Sequence, residues 1–370
     1  MLAARVMKKV LSGRADCAQI RQARTRVRPG NCTLGSQSVV VLTIRETATE
    51  KPGTPSRHHE QHHFQSRGSS SSARAAVTAQ CPDYSDYAQQ KHQPFSAGKY
   101  QLSYMRPEPA CRTFNSSVVE DTIASMQSVI KDPDLYRIFQ NSFPNSLDTA
   151  VKWKGVAANN SEEELTFLIT GDINAMWLRD SANQMQSYLP LVTANSSKDS
   201  LASLYRGVIN LQARYVLEAP HCNSFQPPVE SGIGPSVNQV LPDVFTPNVS
   251  NDTVFECKYE LDSLAAFLEI STNYYQATGD IDFFRKFQWV DAVNTVIATT
   301  EALLVGTYAS NGSVNVLPYT WERTTTSATE TLDNSGRGNP VQDGTGLIRS
   351  AFRPSDDSWV SFYAPDLASN

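Results

Sequence analysis

No window of this 370-residue chain approaches the ~18 consecutive apolar residues of a membrane-spanning helix. The first residues, "MLAARVMKKVLSG", also lack the contiguous apolar core of ~7–15 residues that a secretory signal requires. There is no excess of positive charge. Lys and Arg total 32 against 37 Asp and Glu, a formal net charge of −5, which gives no electrostatic reason to expect a nucleic-acid partner. Cysteine is sparse: Cys17, Cys32, Cys81, Cys111, Cys222 and Cys257, no two of them at the close spacing of a metal-binding pair. Cys81 with Cys111, and Cys222 with Cys257, are instead candidate disulfides. No strict repeat of solenoid type is present.

What is present is an ordinary globular composition, 40% hydrophobic and 19% charged, enough for one large domain or two small ones. The first eighty residues stand apart. Stretches such as "RADCAQIRQARTRVRPG" and "SRGSSSSARAA" are basic, Ser-rich and poor in aromatics. Residues 1–80 therefore read as disordered, as a targeting segment or as a mispredicted N-terminus. Within them "HHEQHH" contains a formal H-E-x-x-H, His59 to His63. That pattern binds zinc only on a helix, and its flanks, "KPGTPSR" and "QSRGSSSS", predict none. Seven N-x-S/T sequons occur, at Asn31, Asn115, Asn159, Asn195, Asn248, Asn251 and Asn311. Most lie in loop-like text, which favours the secretory pathway or an extracellular location even without a recognisable signal.

From about Thr122 the periodicity is helical. "SLASLYRGVINLQARYVLEA" puts Leu201, Leu204, Tyr205, Val208, Leu211 and Tyr215 on one face, opens after a capping context and ends before Pro220. "KYELDSLAAFLEISTNYYQATGD", "DFFRKFQWVDAVNTVIATTEALL", "AMWLRDSANQMQSYLPLV", "VVEDTIASMQSVI" and "LYRIFQNSFPNSLDTAV" are read as further helices. Amphipathic helices joined by long polar loops predict an all-α fold of layered helical hairpins.

Three clusters carry chemistry. "GDINAMWLRDS" gathers Asp172, Trp177, Arg179 and Asp180 directly after the apolar run "LTFLIT". Carboxylates and a guanidinium hydrogen-bond adjacent sugar hydroxyls in bidentate fashion, and an aromatic ring covers the apolar face of a pyranose. The plain alternative is local pairing at a crowded helix start. "CKYELDS" sets Lys258, Glu260 and Asp262 beside Tyr259 at the head of another helix, where surface charge is the plain alternative. "AFRPSDDS" adds Arg353, Asp356 and Asp357. Adjacent aspartates repel, which suits one of them to act as an acid, whereas taken alone the text also reads as a helix start with an N-cap.

Taken in order, "GDINAMWLRDS", "KYELDSL", "TSATETLDNSGRGNPV" and "FRPSDD" resemble glycoside hydrolase family 125, exo-acting α-1,6-mannosidases of the six-hairpin type, and the upstream segment from Cys81 resembles the fungal members. The resemblance covers about Cys81 to Asp357. It implies an (α/α)6 toroid whose axial funnel binds mannose through Asp172, Trp177, Arg179, Asp180, Lys258, Glu260, Asp262 and Arg353. It also implies inversion at the anomeric carbon with no metal and no cofactor. Asp356 would be the general acid, with a second carboxylate ~6.5–9.5 Å away activating water. The expected partner is a mannose-containing oligosaccharide or N-glycan.

One departure follows. The family's base is a glutamate in an M-H-E-G-F-like motif, and this chain has no such motif. The text leaves the family pattern at Ser358, so residues 81–357 are expected to form roughly the first half of the toroid and 358–370 an aberrant tail. The expectation is a mannosidase sequence that lacks its general base and is inactive as it stands. The alternatives are a non-catalytic fragment or weak mannoside-binding protein, and another six-hairpin hydrolase such as an α-glucosidase.

Overall fold

The structure is a computed structural model that describes residues 81–171, 173–238, 243–327 and 330–352. The H-E-x-x-H text, Asn31, the expected disorder of residues 1–80 and the tail 358–370 lie outside the described residues, as do Asp172, Arg353 and Asp356. The chain divides at Cys81 and Pro82, and the account below concerns the unit that starts at Pro82.

That unit is mainly helical. A short helix α1, Tyr84–Ala88, is followed by α2, Ser117–Val129, and α3, Pro133–Ser142. Asp132 caps α3 by accepting from the amides of Asp134 and Leu135, and Pro133 takes the first helical position, where its missing N–H costs nothing. Arg106 ties this region together. Its guanidinium reaches Asp148 at 2.6 Å and Glu120 of α2 at 2.5 Å.

The reading of "LYRIFQNSFPNSLDTAV" as one helix is corrected here. The helix stops at Ser142, a wide turn occupies Ser146–Ala150, and the chain enters strand β1, Val151–Ala157. β1 pairs antiparallel with β2, Asn160–Leu168, in a hairpin. The strands were hidden because β2 is polar at its start and then buried at six successive positions rather than alternating. A short apolar run cannot be told from a buried helix segment by period alone.

The buried end of β2 lies against helix α5, Leu201–Glu218, which follows strand β3, Met176–Trp177, and helix α4, Leu178–Gln186. The side chain of Ser200 caps α5 at the amide of Ser203, 3.1 Å away. The one-faced pattern expected for α5 understates it, because nearly its whole circumference is buried. It is covered by β2 and by helices α6, Leu261–Thr278, and α7, Trp289–Ala302. Gly279 ends α6 in the left-handed conformation at φ 68°, its amide bonding to Tyr275 O at 2.7 Å. Two further helical readings were too long. "AMWLRDSANQMQSYLPLV" begins as strand, and "DFFRKFQWVDAVNTVIATTEALL" breaks into the 3₁₀ turn Phe283–Arg285 and then α7. Strands β4, Ser224–Phe225, β5, Asp243–Thr246, β6, Val254–Glu256, and β7, Thr320–Arg323, complete the described elements needed below. The long segments between helices thus contain short pairings, where an all-α reading expected loops.

The contact of α5 with β2 depends on Gly207. A Cβ there would run into Thr166 Oγ1 and lie 2.9 Å from the backbone carbon of Leu165. Replacing a helix-interior glycine by alanine ordinarily stabilises by ~1 kcal/mol. At this site Gly207→Ala is expected to destabilise instead, by ~1–3 kcal/mol, because overpacking forces strand and helix apart. Urea unfolding of the two proteins checks the sign.

Candidate active site

Three short strands set the site. β3 pairs with β4, Trp177 opposite Ser224, and β4 pairs with β6, Ser224 opposite Glu256. This ribbon brings three chain segments side by side: the start of α4, the turn before β4, and the run from Glu256 into α6. The disulfide Cys222–Cys257, with Cα atoms 4.0 Å apart, staples the second segment to the third, as expected for this pair. Cys81 and Cys111 are disulfide-bonded as well. Asn223, next to Cys222 and fully buried, connects all three segments. Its carbonyl accepts from Leu178 N at 3.0 Å, its Oδ1 from Lys258 N at 3.0 Å, and its Nδ2 donates to Glu256 Oε2 at 3.2 Å.

Because Trp177 ends a strand and Leu178 starts α4, Arg179 and Asp180 stand in the first turn of that helix. Glu260 is the residue before α6, and Asp262 is in that helix's first turn. Helices α4 and α6 pack together, and the two starts meet through one guanidinium. Arg179 Nη1 lies 3.1 Å from Glu260 Oε2 and 3.3 Å from Asp262 Oδ2, and Nη2 lies 3.0 Å from Asp180 Oδ2. The side chains grade from closed to open: Glu260 is 0% exposed, Arg179 18%, Asp262 29% and Asp180 36%. Glu260 forms the floor and the two aspartates reach the surface.

Three carboxylates around one guanidinium leave a negative balance that a largely buried site must hold. Burial lowers the Arg179 pKa, but Glu260, Asp180 and Asp262 more than offset this, so the net shift is upward. Burial pushes the Asp262 carboxyl up, and Arg179 only partly reverses it. Asp262 Oδ1, Trp177 Nε1 and Gln184 Oε1 are buried without a hydrogen-bond partner among the described residues.

The remaining expected residues fall around this cluster. Trp177 is buried, edge-on to Phe255 with ring centroids 5.6 Å apart, and so forms part of the wall. Lys258 is 3.2 Å from Glu256 Oε1 and sits over the Phe352 ring at 5.7 Å. Phe352 runs alongside Glu260, its amide bonding to Tyr259 O at 3.0 Å, and Ser350 Oγ accepts from Leu261 N at 3.2 Å. The described chain therefore reaches the site directly before Arg353. Tyr259, between Lys258 and Glu260, packs its ring at a tilt against His221 and Tyr319, centroids 5.6 and 5.7 Å away. Burial pushes the His221 imidazole down to about 4, so it is neutral at pH 7. Sequence reasoning passed over Asn223 and Glu256. Their adjacency to Cys222 and Cys257 was the available signal.

The chain is a member of a glycoside hydrolase family, the one described as metal-independent alpha-mannosidase (GH125), whose model matches residues 132–368. It is 43% identical over 284 residues to the meiotically up-regulated gene 157 protein of Schizosaccharomyces pombe, a match covering 76% of this chain and 54% of that protein. It is similar to a solved metal-independent α-mannosidase of Streptococcus pneumoniae in a non-productive substrate complex with α-1,6-mannobiose. The TM-score is 0.53 at 26% identity, over 67% of this chain and 52% of the other. The chain thus spans about half the length of the relatives it matches.

A pH test of the cluster follows from Asp262. A carboxyl whose folded pKa is raised contributes most favourably below its unfolded pKa of ~4, and that contribution is lost as pH rises through the folded value. Asp262→Asn is therefore expected to be more stable than the parent near neutral pH, with the difference shrinking towards pH ~4. Urea unfolding of both proteins across this range measures it, and a gap independent of pH would contradict the assignment.

Proposed function

We propose that the protein of which these residues form a part is an exo-acting, inverting α-1,6-mannosidase that removes terminal mannose from glycans, built on an (α/α)6 toroid. The observation that carries this reading is the Arg179 cluster. One guanidinium aligns Asp180 and Asp262 at the opening above the buried Glu260. Two partly exposed carboxylates held a fixed distance from a shared cation suit a vicinal diol, each carboxylate accepting from a hydroxyl in a charge-assisted hydrogen bond. The mannobiose bound by the similar streptococcal enzyme supports mannose as the sugar and the α-1,6 linkage as the bond.

In this reading Arg179, Asp180 and Asp262 bind the terminal mannose above Glu260, which positions Arg179 from below, with Asp172, Trp177, Lys258 and Arg353 in the surrounding wall. Asp356 is the general acid that protonates the departing glycosidic oxygen. A second carboxylate would activate water on the opposite face of the sugar. No residue of the 370 is assigned that role. An H-E-G-F-like segment, absent from this sequence, is proposed to supply it in a chain of the relatives' full length. Burial of Glu260 and the adjacent disulfide Cys222–Cys257 keep the binding groups in place before substrate arrives, which is where much of the rate of a positioned reaction originates.

The test compares three proteins on α-1,6-mannobiose, with an α-1,4-linked glucose disaccharide as control. The chain extended to the relatives' length should release mannose as the β-anomer, visible by NMR. Its Asp356→Asn variant should lose ~10²–10⁴-fold in kcat, the usual worth of a positioned acid. The 370-residue chain alone should be slower still. Preference for the α-1,4-glucoside would favour an α-glucosidase, and full activity of Asp356→Asn would remove Asp356 from the mechanism.

A further inference from the structure

We propose that Asn159 carries an N-linked glycan whose first N-acetylglucosamine rests in the cavity beside it. Three observations meet at this residue. Asn159 begins the sequon Asn159-Asn160-Ser161, and it sits with Ala158 at the exposed tip of the β1–β2 hairpin, where Ala157 pairs with Asn160. The tip borders a cavity of about 570 Å³ lined also by Arg214, Leu217, Glu218, Glu230 and Gln288. The described cysteines, Cys81, Cys111, Cys222 and Cys257, are all disulfide-bonded, the state of proteins folded in the oxidising compartments where N-glycans are added.

The cavity has the chemistry of a sugar site rather than of an ion site. Its size falls within the ~300–1,000 Å³ of small-molecule pockets. Arg214 is occupied by Glu163 and Glu230, each at 2.8 Å, so no cation is left over to hold an anion, and the rim offers acceptors and an amide. Glu218, Glu230 and the Gln288 side chain are suited to hydroxyl and N-acetyl groups, and Leu217 with Ala158 to the apolar ring face. The hairpin tip is held over this surface by the amide of Ala158, which donates to Glu230 Oε1 at 3.4 Å. A sugar bonded to Asn159 Nδ2 starts at the mouth of the cavity, so docking it costs little freedom beyond that already lost to the covalent bond. The other described sequon asparagines, Asn115, Asn195, Asn248, Asn251 and Asn311, are exposed as well, and none of them lines this cavity.

In the modification Asn159 Nδ2 forms a bond to C1 of the sugar as the bond from C1 to the oxygen of a lipid-pyrophosphate oligosaccharide donor breaks. The lipid pyrophosphate leaves with the electron pair, and one amide proton is lost. The inference does not depend on mannosidase activity. The test uses protein purified from its own cells. Digestion with peptide-N-glycosidase in heavy-oxygen water should convert Asn159 to labelled aspartate. On the native protein, release at Asn159 should be about tenfold or more slower than at the other occupied sequons. A Glu218→Ala, Gln288→Ala variant, altered only at exposed positions, should remove that protection. An unmodified Asn159, release as fast as at the other sites, or protection that survives in the variant would each overturn the proposal.

Discussion

The pairing of Arg179 with Glu260 governs the site. Glu260 is wholly buried, and a buried carboxylate is tolerated only beside a matching charge with its hydrogen bonds made. Arg179 provides that match at 3.1 Å, and in doing so fixes the first turn of α4 against the start of α6. The remaining guanidinium contacts then go to Asp180 and Asp262, the two carboxylates that reach solvent. A single planar cation therefore sets both how two helices meet and where the polar groups of the opening stand. Lysine would not replace it, since a point charge cannot hold three carboxylates in a fixed fork.

Such a cluster is held in place by structure that carries no charge. The β3–β4–β6 ribbon is only two or three residues wide at each strand, too little to be stable alone. The Cys222–Cys257 bridge and the buried Asn223 make up the difference by joining the same three segments covalently and through three hydrogen bonds. Beneath them α5 supplies a floor buried on nearly every side. The net effect is rigidity where the electrostatics are unfavourable. Asp262 is pushed towards its neutral form by burial, and its contact with Arg179 only partly reverses this.

The two ends of the hairpin β1–β2 illustrate how one element takes on two roles. Its buried end lies on α5 at Gly207, where a missing side chain lets strand and helix touch. Its exposed end carries Asn159 above a cavity on a different part of the surface. Glu163 and Glu164, midway along β2, turn their charges onto Arg214 and Arg206 of α5, which keeps the hairpin from sliding along the helix.

Much of this was legible in the sequence, and the limits have physical causes. Long helices announced themselves: α5 and α6 show the period, the cap at Ser200 and the stop at Gly279 that local chemistry alone dictates. The Arg179, Asp180, Glu260 and Asp262 group was picked out as residue types, and the pairing of Cys222 with Cys257 was named. The strands were not legible, because β3 and β4 are two residues long and exist only through partners distant in the chain. Nor was the role of Asn223, whose side chain is unremarkable until three segments surround it, or the burial of Trp177, which an aromatic in a charged stretch does not reveal. Sequence by itself determined the long helices and the chemical kinds at the site, since these follow from neighbours along the chain, and it left Cys222–Cys257 as a candidate pairing. Which carboxylate is buried, which faces solvent and which cation joins them was decided only by tertiary structure, because burial and distance are properties of residues some eighty positions apart brought within hydrogen-bonding reach.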